Sequence, residues 1–150
     1  MRITQGTFSF LPDLTDEQIE AQLKYALSHT WAISIEYCAA HEIHPRHAYW
    51  EMWGLPVFDT KVEDSENVMR EVRAAREAFP EHYIKLIAYD PTRGRQTTAL
   101  AIIVNRPAVE RPFKLDRIQG PGRTHRFRLV QPDAPSANGR ATLNGKPGDE

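Results

Sequence analysis

Between Thr15 and Tyr37 the spacing of the apolar residues changes once, abruptly, from helical to alternating. Ile19, Leu23, Ala26 and Leu27 recur at helical intervals and put a single apolar stripe on a helix. Thr15-Asp16-Glu17-Gln18 opens that helix with a capping box, in which the Thr15 hydroxyl accepts from the Gln18 backbone N–H and the Gln18 side chain reaches back. Leu14 and Ile19 stand where a hydrophobic staple pairs, and Asp16 and Glu17 lie where the helix dipole favours negative charge. The stripe predicts a helix that stops near Ser28-His29. Directly beyond it, Trp31, Ile33, Ile35 and Tyr37 alternate with Ala32, Ser34 and Glu36, the period of a half-buried strand.

The same two signatures return once more. Cys38 to Arg46 is irregular, and Pro45 blocks a helix there. Tyr49 to Phe58 is dense in aromatics and reads as a second strand interrupted by Gly54 and Pro56. A second helix begins near Asp64 or Ser65, either of which can cap it. Val68, Met69, Val72, Ala75 and Phe79 mark its buried face and Pro80 ends it. Tyr83 to Tyr89 and Thr97 to Asn105 are β-branched and aromatic strands, joined by the turn residues Asp90-Pro91-Thr92-Arg93-Gly94. Helix, strand, strand, helix, strand, strand is satisfied by an α+β fold: a four-stranded antiparallel sheet with two helices on one face. The opposite face is then left to solvent or to a partner.

After Pro107 the character changes. Phe113 to Arg117 and Arg123 to Arg128 flank Gly120-Pro121-Gly122 and read as a C-terminal β-hairpin extension. Arg106, Arg111, Lys114, Arg117, Arg123, Arg126 and Arg128 make this stretch basic. The expected organisation is a core with an N-terminal arm over residues 1–109, the hairpin over 110–130, and a disordered tail over 131–150. That tail is rich in Pro, Gly, Ala, Asn and Asp and has few apolar residues to offset the entropy of ordering.

Composition narrows the function classes. A chain of 150 residues suits one domain. A formal net charge of -1 argues against a dedicated nucleic-acid binder. Cys38 is the single cysteine and cannot form an intrachain disulfide. Met1 to Phe10 lacks the apolar core of a signal peptide, and no apolar run approaches the roughly 18 residues of a membrane span. The expectation is a soluble intracellular protein, with no nucleic acid and no membrane among its partners. The abundance of Ala and Arg points to a bacterial cytoplasm, with the plastid stroma as the alternative.

Catalytic patterns are sparse. His41, His44 and His47 recur at intervals of three and could present imidazoles to a transition metal. No HExxH or CxxC motif accompanies them, so a polar loop is the reading adopted. Cys38 could be a nucleophile, but a catalytic thiol needs a base and a lowered pKa, and a small residue at a strand end is the reading adopted. Glu17, Glu20, Glu66, Glu71 and Glu77 fit solvated helix faces. Glu51, set within Tyr49-Trp50-Glu51-Met52-Trp53, either faces water or pairs with an arginine at an interface, because a buried carboxylate needs a partner. No phosphate loop of GxxxxGK[ST] or GxGxxG type is present; Gly120-Pro121-Gly122 and Arg93-Gly94-Arg95 are read as turns. Tyr49, Trp50, Trp53 and Phe58 exceed what one core needs and suggest a contact surface, since Tyr, Trp and Arg dominate binding hot spots. A free-standing module that binds an acidic partner through the basic hairpin is the runner-up reading.

Several stretches together carry a resemblance. They are residues 1–19 (Met1-Arg2-Ile3-Thr4-Gln5-Gly6-Thr7-Phe8 onward), His44-Pro45-Arg46, Tyr49-Trp50-Glu51-Met52-Trp53-Gly54-Leu55-Pro56, His82-Tyr83-Ile84-Lys85 and Ile103-Val104-Asn105-Arg106-Pro107. In this order they resemble the small subunits of form I ribulose bisphosphate carboxylase/oxygenase (Rubisco), and the C-terminal hairpin is similar to that of the red-type branch. The resemblance implies a small subunit without catalytic, cofactor-binding or metal-binding residues, within a hexadecamer of eight large and eight small chains. Magnesium and the carbamylated lysine would belong to the large subunit. It implies large-subunit contacts at Thr7, Phe8, Leu11, Pro12, Arg46, Tyr49, Trp50, Glu51 and Trp53. It also implies that four hairpins meet around a central channel through Phe113, Leu115, Arg117, Arg123, Arg126 and Arg128. Cys38-Ala39-Ala40-His41-Glu42-Ile43 departs from the acidic loop expected there, and the tail beyond Pro132 matches nothing in the family pattern.

Overall fold

The computed structural model describes residues 13–43, 49–54, 59–95, 97–110 and 114–130. The described residues fall into two compact units, 13–110 and 114–130.

In the larger unit, helix α1 spans Asp16–Ser28 and starts on the capping box: Gln18 N–H donates to Thr15 Oγ1 at 3.3 Å, and Thr15 N–H donates to Gln18 Oε1 at 2.9 Å. Leu14, just before it, packs on the core that contains Ile19, as a staple requires. The helix closes in a Schellman motif. Trp31 N–H donates to the Ala26 carbonyl at 3.3 Å and Thr30 N–H to the Leu27 carbonyl at 3.0 Å. The residue that turns the chain left-handed is Thr30, at φ 59°, where glycine is the usual occupant.

Strand β1 (Ala32–Ala39) follows at once, then β2 (Glu51–Met52), α2 (Ser65–Ala78), β3 (His82–Asp90) and β4 (Thr97–Asn105). The sheet order is β2-β1-β3-β4 and every neighbouring pair is antiparallel. Ile33 and Ile35 of β1, Ile84, Leu86 and Ala88 of β3, and Leu100, Ile102 and Val104 of β4 share one buried cluster with both helices. From α1 it takes Ile19, Leu23, Ala26 and Leu27, and from α2 Val68, Met69, Val72 and Ala75. Truncating a fully buried Leu or Ile to Ala in such a cluster costs about 2–5 kcal/mol, so the period-two and helical patterns specify this face strongly.

Three sequence expectations are corrected. First, β1 is not half-buried: Ala32, Ser34 and Cys38 on its other face are buried along with Ile33 and Ile35. The face of the sheet away from the helices is therefore not simply open to solvent, and Tyr83 and Ile87 of β3 are buried there too. Second, the aromatic run forms a strand only at Glu51–Met52, and Gly54 at φ 71° turns the chain away. Third, neither Asp64 nor Ser65 caps α2 by its side chain. A 3₁₀ turn over Val62–Asp64 leads into the helix, and the Ser65 hydroxyl instead donates to Glu20 of α1 at 3.4 Å. Phe79 lies just past α2 and stacks on Tyr37, with ring centroids 4.4 Å apart.

Two arginines fix the edges of this unit. The β3–β4 register steps from Lys85↔Ile103 to Ile84↔Asn105, so Val104 is the extra residue of a bulge. Arg76 of α2 donates to its carbonyl from Nε at 3.0 Å and Nη2 at 2.7 Å, while Nη1 bonds Asp16 at 2.7 Å. Arg106, with only 8% of its side chain exposed, pairs with Glu110 at 2.9 Å and Asp13 at 3.4 Å. The Tyr83 hydroxyl also donates to Glu110. Arg106 is therefore neutralised inside the core unit and does not belong to the basic surface of the hairpin.

The smaller unit is the expected hairpin, with β5 at Lys114–Gln119 and β6 at His125–Val130. Its turn, Pro121–Arg123, is a 3₁₀ turn in which Gly122 takes φ 68°, a value that suits glycine. Leu115, Arg117 and Gln119 share one face with His125, Phe127 and Leu129. A lone two-stranded ribbon is marginally stable, and half of the Leu115 and Phe127 surfaces is exposed.

Candidate functional site

The Tyr49–Trp53 run disperses its side chains in different directions. On the sheet face away from the helices, Glu36 lies opposite Lys85 in register and pairs with it at 3.1 Å. Only 15% and 14% of these two side chains are exposed. The Tyr89 hydroxyl donates to Glu36 at 3.4 Å. The Trp50 ring covers the pair, with Lys85 Nζ 4.1 Å from its centroid, a cation–π contact that helps to hold a mostly desolvated charge. The Trp50 indole N–H is buried and finds no acceptor among the described residues. Such an orphan donor costs about 1–3 kcal/mol.

Tyr49 and Met52 point outward, with 73% and 47% of their surfaces exposed. Glu51 is exposed and accepts a 2.9 Å hydrogen bond from the Tyr37 hydroxyl. That bond, with burial and the charge of Glu51 adding to it, pushes the Tyr37 phenol above its ordinary pKa. Trp53 turns towards the helices: its indole donates to Glu71 at 3.1 Å and its ring meets Phe79 edge-on. Of the residues singled out from the sequence, the structure thus gathers Tyr49, Trp50, Glu51 and Trp53 around one sheet edge. Met52 was not singled out as a contact residue. Thr7, Phe8, Leu11, Pro12, Arg46, His44, His47 and Phe58 lie outside the described residues.

The groups with chemical potential do not assemble. Cys38 is buried, and burial first, then the charge of Glu42, pushes its thiol above the ordinary value; its sulfur sits 3.5 Å from the Ala39 carbonyl oxygen. That is the opposite of nucleophile activation. His41 is exposed, 3.8 Å from the Glu42 carboxylate. Among the described residues no three His, Cys, Asp or Glu side chains come together as a metal site. A cavity of about 800 Å³ opens beside β1 and α2, floored by Ile33, Ile35 and Val68 and rimmed by Asp59, Asp64 and Glu71. None of its described lining residues is a histidine or a cysteine.

On the hairpin, Arg117 reaches across the register to His125, with contacts of 3.2 and 2.7 Å to its ring nitrogens. Arg128 stands 4.0 Å from Asp116. Leu115, Arg123 and Arg126 are exposed, whereas Phe113 lies outside the described residues.

A family model described as "Ribulose bisphosphate carboxylase, small chain" matches residues 5–107. A small subunit of that enzyme from Xanthobacter flavus is 54% identical over 129 residues, 86% of this chain and 94% of the relative. The small subunit of Cyanidioschyzon merolae is 53% identical over 129 residues, covering 86% and 91% of the two chains. Among solved structures, a chain of "Rubisco from Galdieria partita" superposes with a TM-score of 0.74 at 47% identity, covering 89% of this chain and 94% of that one.

Proposed function

The chain belongs to the ribulose bisphosphate carboxylase small-chain family, and from that premise we propose how it serves the enzyme. Membership makes it a subunit of a carbon-fixing enzyme complex, with the large subunit as its partner. We infer that it adds contact surface rather than reacting groups, holds the large subunits together in a hexadecamer and tunes their turnover from a distance. Magnesium and the carbamylated lysine belong, in this reading, to the large subunit, and this chain holds no cofactor. The observation that carries the reading is the outward pair Tyr49 and Met52 beside Trp50, held over Lys85, and Glu51, which accepts from Tyr37. Aromatic anchors ringed by such contacts are where association energy concentrates.

The arm residues Thr7, Phe8, Leu11 and Pro12 and the loop residue Arg46 extend the same proposed contact with the large subunit. The hairpin is assigned to the other small subunits around a central channel, through Phe113, Leu115, Arg117, Arg123, Arg126 and Arg128. Its support is the half-exposed Leu115 and Phe127 on a ribbon too small to be stable alone. No observation favours a free-standing binder of an acidic partner. No helix among the described residues is long and apolar enough to cross a membrane. We place the complex in a bacterial cytoplasm, with the Ala- and Arg-rich composition as support, although relatives come from both bacteria and red algae.

Co-expression with a cognate large subunit tests this directly. The expected product is one particle of eight large and eight small chains by native mass spectrometry. Separate elution of the two chains would refute the assignment. Deleting residues 112–130 is expected to lower the yield of the full particle, and an unchanged yield would show the hairpin to be dispensable.

A further inference from the structure

Two segments of this chain are assigned above to partners, and both root at one guanidinium. The described core unit begins at Asp13, directly after the proposed arm, and ends at Glu110, directly before the stretch that leads to the hairpin. Arg106 meets both end residues: its Nε lies 3.4 Å from Asp13 Oδ1, and its Nη1 donates to Glu110 Oε1 at 2.9 Å. The same Glu110 oxygen accepts from the hydroxyl of Tyr83, a buried residue of β3, at 3.0 Å. Asp13 and Glu110 stand at opposite ends of the core sequence, so no local preference of the chain brings them together. A planar fork of donors serves two carboxylates in fixed directions, whereas a lysine ammonium is a point charge on a flexible stem.

The stretch around Arg106 is tied down without it. Asn105 Nδ2 donates to the Pro80 carbonyl at 3.1 Å and to the His82 carbonyl at 2.8 Å, and the Ala108 N–H donates to Glu81 at 3.2 Å. Pro107 between them is buried. Arg76 is committed to Asp16 and to the Val104 carbonyl, and His82 packs against the Phe79 and Tyr37 rings. Without the guanidinium, Asp13 is mostly exposed and hydrates, while Glu110 is partly exposed and keeps the Tyr83 hydroxyl. The large penalty for an orphaned buried charge therefore does not arise, and the core outlasts the loss of the bridge. What disappears is the link between two roots. We propose that Arg106 is a positioning residue for assembly: it fixes the roots of the arm and of the hairpin stretch at one point of the core, so that the segments meant for the large subunit and for the other small subunits are presented together. The inference rests on the functional reading above.

The test co-expresses full-length variants with the cognate large subunit and measures recovery of the full particle by native mass spectrometry, beside the urea midpoint of each small subunit. Arg106→Gln is expected to lower particle recovery roughly 10-fold, the factor that corresponds to ~1.4 kcal/mol, with little change in the urea midpoint. Arg106→Lys, which keeps the charge and loses the fork, should lower it nearly as far. Asp13→Asn combined with Glu110→Gln should reproduce the loss, and adding Arg106→Gln to that pair should cost nothing more, because the three groups act as one unit. Full recovery in Arg106→Gln or Arg106→Lys, a further loss in the triple variant, or a recovery that falls only as far as the urea midpoint falls would each overturn the proposal. Should Arg106→Gln fail to fold, the Asp13→Asn/Glu110→Gln pair carries the test, and its full recovery overturns the proposal equally. A parent chain that yields no particle refutes the functional reading and the inference with it. A parent that assembles beside variants that assemble equally well refutes the inference alone.

Discussion

Replacing Thr30 by glycine is expected to stabilise the protein, against the usual direction of a point substitution. Thr30 occupies the left-handed position of the Schellman motif that ends α1, at φ 59°. A side chain with a Cβ costs roughly 1–2 kcal/mol in that region, and a β-branched one lies at the upper end. Thr30→Gly removes this strain. Against it stands the extra freedom that glycine gives the unfolded chain, about 0.5–1 kcal/mol. The Thr30 hydroxyl also loses its 2.6 Å bond to the His29 carbonyl, but both groups are exposed and water replaces it at little net cost. The balance is a gain of about 0.5–1 kcal/mol. Urea unfolding followed by circular dichroism should show a higher midpoint with an unchanged slope, because no extra surface is exposed. Thr30→Ala should fall between the two. If Thr30→Gly lowered the midpoint, or if Thr30→Ala matched it, the strain attributed to Thr30 would not exist.

Lys85→Met should destabilise by about 3 kcal/mol, because Glu36 would be left largely buried without its cation and with the Tyr89 hydroxyl as a weak donor. The double variant Glu36→Gln/Lys85→Met should recover much of that loss in the same unfolding assay; an equal loss would show that the pair contributes little. Trp53→Ala should cost roughly 1.5–3 kcal/mol, less than a fully buried tryptophan, since the side chain is half-buried and donates to Glu71. An unchanged melting temperature would remove Trp53 from the scaffold. Cys38 should resist iodoacetamide in the native protein near neutral pH and react fully in urea. Its folded pKa is raised, so the stability it contributes is present below the unfolded thiol value of about 8.5 and is lost as pH rises beyond it. A Cys38→Ala variant whose stability falls just as steeply in alkali would refute that attribution.

The sequence announces those features whose physics is local. The capping box at Thr15 and Gln18, the stripe Ile19–Leu27 and the alternation in β3 and β4 all depend on near neighbours, and they appear where the spacing puts them. The features that depend on distant chain were hidden. Burial of Ser34 and Cys38 depends on what covers the sheet face away from the helices, which no alternation within β1 can report. Arg106 looked like one more positive charge of the basic stretch, and only the approach of Asp13 and Glu110 turns it into a core residue. Asp64 had the chemistry of a cap, but the preceding 3₁₀ turn aims its carboxylate at the Lys61 N–H instead. For the candidate surface, Tyr49 and Trp50 were legible as surplus aromatics. Which of them faces outward was not, because the cation that draws Trp50 inward, Lys85, is 35 positions away in the chain.

The bridge from Arg76 to the Val104 carbonyl has a consequence for a chain that has left the ribosome and not yet met its partners. β4 closes the sheet order, is nine residues long and carries no charged side chain, the profile of a template for runaway strand addition between molecules. The bulge at Val104 breaks its regular ladder, and the guanidinium occupies the carbonyl that an incoming strand would seek at that end. Loss of Arg76 is therefore expected to be felt in the cell as inclusion bodies before it is felt as a change in carbon fixation.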